Sequence, residues 1–321
     1  MENIKRVCTI IVTFNRKELL LRCLEAVTAQ TFQPQAIFIV DNASTDGTSE
    51  YLAENRGISH AEISDEQKID VSLNGQPIFY YRLSSNQGGA GGFYTGLKLA
   101  HESGEFDAYW LMDDDGYPSR ECLERQLPYL DEYKYVMPVS IDINNETQLS
   151  WATRKPDGKK TIVYDELVTT WGNIMPFIFP FNGSLMLREM VDKVGYINPK
   201  LFIWGDDYEH YFRCLKAGYN PVTILDAVFY HPVNRAPVVP IFFGKIPVPY
   251  VESKLRFHCL IRNWAYINKK NRRYGKFIMN FMAYSWLFLL TRKLDLKGYG
   301  FYLQSLGDGL RENFTRHKDY L

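Results

Sequence analysis

Short apolar runs of strand-like composition alternate with amphipathic stretches over roughly the first 140 residues, and this alternation restricts the fold more than any other feature. The predicted strands are residues 7–14, 36–40, 78–83 and 108–112, and the predicted helices are residues 16–29, 48–55 and 92–101. Strands that alternate with helices form a mostly parallel sheet with helices on both faces. We therefore predict an α/β, Rossmann-like fold for this part of the chain.

The rest of the chain is organised differently. From about residue 140 the alternation gives way to shorter segments, and residues 206–217 are predicted as a helix that Gly218 ends. A proline-rich connector over residues 232–249 leads to a final stretch in which we predict two or three helices with many aromatic and basic side chains. The fold class predicted for the chain is α/β with a C-terminal helical region.

The composition limits the classes of partner and the location. Lys plus Arg and Asp plus Glu both total 37, so the overall charge gives no indication of nucleic-acid binding. The five cysteines include no CxxC pair, which is typical of reduced thiols in a cytoplasmic protein. No signal-peptide pattern is recognisable, and the longest apolar run, residues 277–290, contains Asn280 and is too short to span a bilayer. We expect a cytoplasmic chain without a transmembrane helix.

Three consecutive carboxylates, Asp113, Asp114 and Asp115, follow an apolar strand. Alternation along an extended chain would place Asp113 and Asp115 on one side and Asp114 on the other. Two carboxylates on the same side repel each other unless a cation lies between them, and Mg²⁺ and Mn²⁺ share oxygen ligands with phosphates. The triplet predicts a metal and diphosphate site, with a solvated acidic turn as the alternative. His231, after a later strand, is either a further ligand that suits Mn²⁺ or a structural histidine.

Other polar residues are expected at the same edge of the sheet. Ligands of parallel α/β sheets bind beyond the carboxyl ends of the strands, and Thr13, Asn15, Asp41 and Asn86 all follow predicted strands. Residues 84–93 form a glycine-rich turn that opens a helix, where backbone N–H groups favour a phosphate or a sugar diphosphate. This run lacks the Lys-Ser/Thr ending of a P-loop, and a flexible loop is the alternative.

A second acidic cluster begins the helix predicted over residues 206–217. Trp204 precedes Asp206, Asp207, Glu209 and His210 in this segment. A carboxylate here would accept the proton of an attacking hydroxyl, while the indole ring packs on the face of a sugar. Capping of the helix by the same carboxylates is the alternative.

In this order the motifs resemble the inverting GT-A glycosyltransferases, a family that includes rhamnosyl- and galactofuranosyltransferases. The matching segments are residues 9–16, 40–47, 86–89, 113–115 and 204–209. The run 86–93 and the Tyr230–His231 pair are most similar to galactofuranosyltransferases, which use UDP-galactofuranose. The resemblance implies a GT-A fold with a catalytic domain over residues 1–250. Its nucleotide-sugar half would be residues 1–140 and its acceptor half residues 141–250, before a helical region over residues 251–321.

The resemblance also implies roles for single residues. Asp113, Asp115 and His231 would be metal ligands or diphosphate contacts for Mn²⁺ or Mg²⁺, and Asp207 would be the catalytic base. The implied donor contacts are Thr13, Asn15 and Asp41 around the uridine, with Asn86 and Asp114 near the donor. The implied acceptor contacts are Trp204, Asp206, Glu209 and His210. The reaction would be a single inverting displacement of UDP by a glycan or a lipid-linked glycan.

Two features bear on the number of sugars added. The chain lacks the long extra domains of the polymerising relatives, and Gly205 separates the tryptophan from the first aspartate of the acidic cluster. We expect addition of one or a few sugars.

Other functions stay open. A rhamnosyltransferase that uses dTDP-rhamnose shares most of the pattern and would not need His231 as a ligand. A non-catalytic nucleotide-sugar-binding subunit would not need so complete a set of carboxylates. A Rossmann oxidoreductase is disfavoured, because the glycine-rich run follows a later strand and not the first.

The C-terminal region suggests an interaction surface. Between residues 254 and 276 there are eight Lys or Arg and no acidic residue. The aromatic residues of this stretch include Phe257, Trp264, Tyr266 and Tyr274. Basic and aromatic helices suit an anionic cytoplasmic leaflet, where lipid-linked acceptors lie. We expect peripheral membrane contact, with a packing or homo-oligomer-forming helical domain as the alternative.

Overall fold

The computed structural model describes residues 5–56, 65–66, 68–73, 76–176, 181–233 and 237–321. The chain divides into two compact units. The first unit comprises Met1–Pro199 and Arg213–Asn234, and the second unit comprises Lys200–Phe212 and Arg235–Leu321. Part of the proline-rich connector, residues 234–236, lies outside the described residues.

The first unit is built around one sheet. Its strands are β1 (Val7–Thr13), β2 (Ala36–Asp41), β3 (Lys68–Leu73), β4 (Gln76–Arg82), β5 (Ala108–Asp113), β6 (Tyr117–Pro118), β7 (Tyr135–Asp142), β8 (Asn145–Arg154), β9 (Lys160–Val163), β10 (Ile174–Met175), β11 (Asn182–Leu187) and β12 (Val222–His231). The order across the sheet is β10-β12-β7-β11-β5-β1-β2-β4-β3, with β6 beside β12 and with β8 joining β7 to β9.

The first seven helices in chain order are α1 (Lys17–Thr28), α2 (Thr48–Arg56), α3 (Gly88–Glu102), α4 (Cys122–Tyr133), α5 (Tyr164–Trp171), α6 (Arg188–Val194) and α7 (Asp206–Lys216). Strands β5, β1, β2 and β4 are parallel neighbours, whereas β11 runs antiparallel to both β5 and β7. The predicted α/β class is confirmed, and the central parallel strands carry their carboxyl ends to one edge of the sheet.

The central strands are buried along their whole length. Every residue of β1 and β2 is buried, which is the pattern of parallel strands covered on both faces. Trp110 of β5 is the largest fully buried side chain, and its indole N–H lies 3.0 Å from both the Gln126 side-chain oxygen and the Gly183 carbonyl oxygen. The core therefore accommodates this ring without leaving its polar atom unpaired.

The glycine-rich run has a packing role. Helix α3 begins at Gly88, before the start predicted at residue 92, so most of the run is helical. A Cβ on Gly92 would lie 2.4 Å from Val12 Cγ1, and a Cβ on Gly96 would lie 2.5 Å from Ile10 Cγ2. The glycines therefore allow α3 to lie directly against β1, which disagrees with the alternative of a flexible loop.

The second unit contains a hairpin and a group of helices. Its elements are β13 (Val238–Ile241), β14 (Ile246–Pro249), α8 (Lys254–Lys270), α9 (Tyr274–Trp286), a π-helical turn (Leu287–Thr291), α10 (Leu296–Leu310) and a 3₁₀ turn (Arg316–Tyr320). The hairpin occupies part of the stretch expected as a connector, and the helices expected after it are present. Among the described residues, no helix combines the length and the apolar character needed to cross a bilayer.

The core of the second unit is mainly aromatic. Tyr284 and Tyr302 stack with ring centroids 5.0 Å apart, and Phe257 and Phe288 pack beside them. Residues 200–212 belong to this unit and not to the sheet, which differs from the boundary predicted at residue 250. The reason is local, because side chains of α8 hold the backbone of this segment by hydrogen bonds.

Candidate active site

The carboxylate triplet does not continue as an extended strand. Strand β5 ends at Asp113, and Asp114 and Asp115 lie in a turn. The expected placement of Asp113 and Asp115 on one side and Asp114 on the other is therefore wrong. Asp114 and Asp115 instead contact the same guanidinium group, that of Arg16. Arg16 Nη1 lies 3.0 Å from Asp114 Oδ1 and 2.8 Å from Asp115 Oδ2. Arg16 thus offsets the repulsion between two neighbouring carboxylates.

Asp114 is tied into the first unit. Its side chain is buried, and the Thr13 hydroxyl donates to Asp114 Oδ2 at 2.6 Å. Burial raises the pKa of Asp114 to about 6, against the lowering effects of Arg16 and Thr13. Thr13 and Asp114 were both predicted to contact the nucleotide-sugar donor. They are hydrogen-bonded to each other, which links the carboxyl ends of β1 and β5.

Asp115 lies beside His231, although β12 and β5 are not neighbours in the sheet. Strand β6, which begins two residues after Asp115, pairs with the end of β12, with Tyr117 opposite Tyr230. This pairing places His231 Nε2 3.1 Å from Asp115 Oδ1. Burial would raise the pKa of Asp115, but His231 and Arg16 outweigh it, and the pKa is lowered from its ordinary value.

The arrangement of His231 suits a cation ligand. Its Nδ1 lies 2.6 Å from the Pro232 carbonyl oxygen, which can only accept, so Nδ1 carries a proton. His231 Nε2 faces Asp115 Oδ1 at 3.1 Å, and this buried oxygen receives no other hydrogen bond from the described residues. At this distance the two atoms share either a proton, as in an ion pair, or a cation that both of them bind. A ligating histidine typically donates its other ring N–H to a carbonyl in this way.

Asp113 stands apart from this pair. The described part of the chain contains no group of three or more His, Cys, Asp or Glu side chains arranged to hold one ion. The structure therefore brings together Asp115 and His231 of the predicted metal-binding set and does not add Asp113 to them. Two protein ligands are compatible with Mg²⁺ or Mn²⁺, since such ions complete their coordination with phosphate oxygens and water.

The predicted uridine contacts hold one loop at the ends of β1 and β2. Asn15 has a φ of 55° and accepts the Thr45 backbone N–H at 2.7 Å, while its own N–H donates to Ser44 Oγ at 2.9 Å. Asp41 accepts the Ser44 backbone N–H at 2.8 Å and the hydroxyl of Tyr80. Burial, with the charge of Asp41, raises the pKa of Tyr80. The loop is fixed in shape, and its contact with a nucleoside stays a prediction.

Asn86 fixes the start of α3. Its side-chain oxygen accepts the Gly88 backbone N–H at 2.8 Å. Asn42, next to Asp41, donates to the Gly88 carbonyl oxygen at 2.9 Å and accepts the Gln87 backbone N–H at 2.8 Å. These hydrogen bonds connect the start of α3, which includes Asn86, to the end of β2. Direct contact of Asn86 with the nucleotide-sugar donor remains a prediction.

In the second unit, the segment that leads into α7 has a rare backbone conformation. Phe202, Trp204 and Gly205 have φ values of 67°, 64° and 88°. Aromatic residues seldom adopt the left-handed region, which persists only where the surroundings stabilise it. A Cβ on Gly205 would also lie 3.1 Å from Ile267 Cδ1, so a glycine suits this position on two grounds.

Two side chains of α8 hold this segment. Asn263 Nδ2 donates to the carbonyl oxygens of Leu201, Ile203 and Trp204 at 2.9, 2.9 and 2.6 Å. The Arg262 guanidinium is fully buried, and its Nη2 donates to the Leu201 carbonyl oxygen at 2.7 Å. Buried carbonyl groups need such partners, so Asn263 and Arg262 fix the path of the chain into the acidic cluster.

The acidic cluster lies at the start of α7. Asp207 Oδ1 accepts the backbone N–H of Tyr208 at 2.8 Å. Burial raises the pKa of Asp207, against the effect of this and other backbone N–H groups. Burial, and then the charge of Asp207, raises the pKa of Asp206 as well. A carboxylate with a raised pKa binds a proton more readily than an ordinary aspartate, as a general base requires.

The predicted acceptor residues differ in accessibility. Trp204 and Asp207 are half-buried, whereas Asp206 and Glu209 are nearly buried. His210, which the sequence grouped with the acceptor site, is fully buried on the inner side of α7. It therefore contributes to packing in this structure and offers no surface to an acceptor.

Residues 8–195 match the sequence profile described as Glycosyl transferase family 2. This match covers more than half of the chain. The chain belongs to glycosyltransferase family 2. The predicted identity as a glycosyltransferase is thereby confirmed.

The enzyme is similar over nearly its whole length to two mycobacterial proteins. It is 27% identical over 325 residues to "Galactofuranosyltransferase GlfT1" of Mycolicibacterium smegmatis, with 98% of this chain and 100% of the relative covered. It is 29% identical over 321 residues to "Galactofuranosyltransferase GlfT1" of Mycobacterium tuberculosis, with 97% of each chain covered.

Solved structures share the fold of the enzyme. Residues 1–349 of Staphylococcus aureus TarS, in complex with UDP-GlcNAc, give a TM-score of 0.57 at 15% identity over 95% of this chain and 80% of that chain. GalNAc-T7, with UDP, GalNAc and Mn²⁺, gives a TM-score of 0.55 at 14% identity over 84% of this chain. The enzyme spans about half the length of GalNAc-T7, at 48%. The predicted GT-A type of fold is confirmed.

Several positioning residues escaped the sequence analysis. Arg16 was part of a matching segment, but the turn at Asp114 that makes it a common partner of two carboxylates is not visible in sequence. Arg262 and Asn263 lie in the basic and aromatic stretch that suggested a surface, and only their burial shows that they hold the loop before α7.

Proposed function

We propose that the enzyme transfers galactofuranose from UDP-galactofuranose to a glycan or a lipid-linked glycan, with inversion in a single displacement. The observation that carries the site assignment is the approach of His231 Nε2 to a buried, otherwise unbonded oxygen of Asp115. The donor sugar is supported by the similarity to proteins named galactofuranosyltransferase, which extends over 97% or more of this chain and therefore beyond the nucleotide-sugar half.

Asp115 and His231 are the residues that we assign to Mn²⁺ or Mg²⁺. The ion, when bound, would supply a Lewis acid that neutralises the charge on the departing UDP. Arg16 binds Asp115 Oδ2, which leaves Oδ1 directed at His231. Asp113, which stands apart from this pair, is proposed as a diphosphate contact and not as a metal ligand. Mn²⁺ in the related fold of GalNAc-T7 is consistent with this assignment.

Asp207 is the proposed catalytic base. It would take the proton of the acceptor hydroxyl while that oxygen bonds to the anomeric carbon and the bond from this carbon to the UDP oxygen breaks. Its raised pKa favours proton acceptance. Trp204 would pack on a sugar face, and Asp206 and Glu209 would line the acceptor site.

A panel of nucleotide sugars tests the proposal. The enzyme is incubated with Mn²⁺, a simple glycoside or lipid-linked acceptor, and UDP-galactofuranose, UDP-galactopyranose or dTDP-rhamnose, and the products are weighed by mass spectrometry. A hexose increment only with UDP-galactofuranose is expected. A deoxyhexose increment with dTDP-rhamnose alone would identify a rhamnosyltransferase instead. Nucleotide binding without any product would indicate a non-catalytic subunit.

The acceptor class bears on where the enzyme works. Lipid-linked glycans are held at a membrane, so an enzyme that elongates them must reach the bilayer surface. We infer that the chain acts in the cytoplasm as a peripheral protein on the inner face of the cell membrane, through its C-terminal region.

A further inference from the structure

Helix α9 exposes apolar side chains on one side. Ile278 and Met282 are 55% and 54% exposed, and Met279 is exposed between them. These positions are three to four residues apart and therefore lie on the same side of the helix. Tyr284, further along, is buried in the aromatic core of the second unit. The exposed side is thus an additional apolar face and not part of that core.

The hairpin continues this face. Phe243 lies in the turn between β13 and β14 and is 93% exposed. Trp286, four residues after Met282, stacks on Phe242 with centroids 4.1 Å apart and meets Phe243 edge-on at 6.1 Å. The turn and the apolar side of α9 are therefore continuous through Trp286.

The chain from the end of α9 to the first residue of α10 adds further apolar side chains. Leu294 and Leu296 are 67% and 66% exposed, and Leu290 is also exposed. Large exposed apolar patches on soluble proteins mark contact with another protein or a membrane. We call the set Phe243, Ile278, Met282, Leu294 and Leu296 the apolar face.

Basic residues predominate in the part of the sequence that carries most of the apolar face. Residues 253–300 contain eleven Lys or Arg and a single acidic residue, Asp295. Asp295 is engaged by Arg292 Nε at 2.9 Å and by the Gly298 backbone N–H at 2.9 Å, as the N-cap of α10. Lys293 and Lys297, beside Leu294 and Leu296, are exposed and have no carboxylate in ion-pair contact within the described part of the chain.

We propose that the apolar face and its flanking lysines dock the enzyme on a bilayer that contains anionic phospholipids. The apolar side chains would enter the boundary between headgroups and acyl chains, and the lysines would meet the headgroup phosphates. A second copy of the chain is a poorer occupant, because a symmetric contact through this face would bring the same lysines together. Membrane docking rests on the proposed function in one respect, because its purpose would be to bring the enzyme to a lipid-linked acceptor.

The structure moves this surface away from the stretch that the sequence indicated. Phe257 and Arg262 of α8, within residues 254–276, are buried. Tyr274 is the exposed aromatic residue of that stretch, at the start of α9. The docking residues therefore lie mainly on α9, on the turn after it and at the tip of the hairpin.

Vesicle flotation of the full-length enzyme tests the proposal. Vesicles of phosphatidylcholine with phosphatidylglycerol are compared with vesicles of phosphatidylcholine alone, at low and high salt. The enzyme is expected to float with the anionic vesicles and to lose binding at high salt. The variant Phe243→Ser/Ile278→Ser/Met282→Ser and the variant Lys293→Glu/Lys297→Glu are each expected to bind the anionic vesicles at least about tenfold more weakly.

Two matched controls lie in the first unit. Val163→Ser/Val168→Ser replaces exposed apolar residues, and Lys159→Glu/Lys160→Glu reverses exposed charges. Both are expected to bind vesicles like the unmodified enzyme. Equal binding by the docking variants, or no binding by the unmodified enzyme, would overturn the proposal. A different result would also overturn it. Light scattering would show that the unmodified enzyme is a dimer and that the triple serine variant is a monomer, while neither protein binds vesicles.

A soluble acceptor separates this proposal from the proposed function. The docking variants should keep the rate of the unmodified enzyme on a simple glycoside and lose rate only on acceptor embedded in vesicles. If the enzyme floats with vesicles yet transfers no sugar from UDP-galactofuranose, the proposed function fails and the docking surface stands. If it transfers sugar to a soluble glycoside and does not float, the docking surface fails alone.

Discussion

His231 and Asp115 meet because the short strand β6, which begins two residues after Asp115, pairs with the end of β12 that carries His231. This pairing brings the ends of β5 and β12 together, although these two strands are not adjacent in the sheet. The imidazole Nδ1 is fixed on the Pro232 carbonyl oxygen, and Nε2 faces Asp115 Oδ1 at 3.1 Å. This geometry makes a cation requirement the first testable consequence.

Turnover should require Mn²⁺ or Mg²⁺ and fall below detection in excess EDTA. His231→Ala should raise the Mn²⁺ concentration for half-maximal rate at least about tenfold, since one of two protein ligands is lost. The control is His101→Ala, because His101 also contacts an aspartate, Asp192 at 2.7 Å, but lies at the far end of α3. Full activity in EDTA would rule out the metal assignment.

Asn263 should stabilise the second unit through its three carbonyl partners. Asn263→Ala removes the side-chain donor to the Ile203 and Trp204 carbonyl oxygens, while Leu201 keeps its bond from Arg262, and the free energy of unfolding in urea should fall by about 1–3 kcal/mol. Asn263→Asp keeps the oxygen that accepts from Arg262 Nε at 2.9 Å and replaces only the donor, so it should also be less stable than the unmodified enzyme. If the aspartate variant were as stable as the unmodified enzyme, the role of Asn263 as a donor would be refuted.

Much of the fold follows from periodicity in the sequence. The strands β1, β2 and β5 and the helices α1 and α7 lie within a few residues of their predicted bounds, because buried parallel strands are continuous apolar runs and the helices are amphipathic. The start of α3 is placed late because glycine has a low helix propensity, and only the closeness of Val12 shows why glycine is required there.

The site was predictable as a set of residue types but not as a geometry. The carboxyl-edge rule gives Thr13, Asp41 and the aspartate triplet. It does not give the turn at Asp114, which puts two carboxylates on Arg16, nor the pairing of β6 with β12. Both depend on contacts between residues that are distant in sequence. Periodicity carries no information on such contacts.

Two glycines of α3 form a matched pair that tests the close contact between α3 and β1. Gly92→Ala should lower the free energy of unfolding by about 1–3 kcal/mol, because its Cβ would lie 2.4 Å from Val12 Cγ1. Gly89→Ala, with nothing within 4 Å, should be neutral or more stable by up to about 1 kcal/mol, because alanine favours the helix. Chemical denaturation of both variants measures the difference, and equal stabilities would contradict the close approach of α3 to β1.

The rate should depend on pH through the proposed base. The pKa of Asp207 is raised from 3.8 by burial, so the carboxylate becomes protonated at a higher pH than an ordinary aspartate. A base acts only when unprotonated, so kcat/KM for the acceptor should be full above the raised pKa and fall as the pH drops through it. An acidic limb at the ordinary value, measured with saturating Mn²⁺, would argue that the base lies elsewhere.

The most direct measurement compares rate and UDP affinity in Asp207→Asn and Asp115→Asn. Asp207→Asn keeps the shape but removes the proton acceptor, so initial rates should fall by about two to four orders of magnitude. UDP affinity by calorimetry with Mn²⁺ should stay within a few-fold. Asp115→Asn should weaken both UDP and Mn²⁺ binding. Near-normal turnover by Asp207→Asn together with an inactive Glu209→Gln would contradict the account and transfer the role of the base to Glu209.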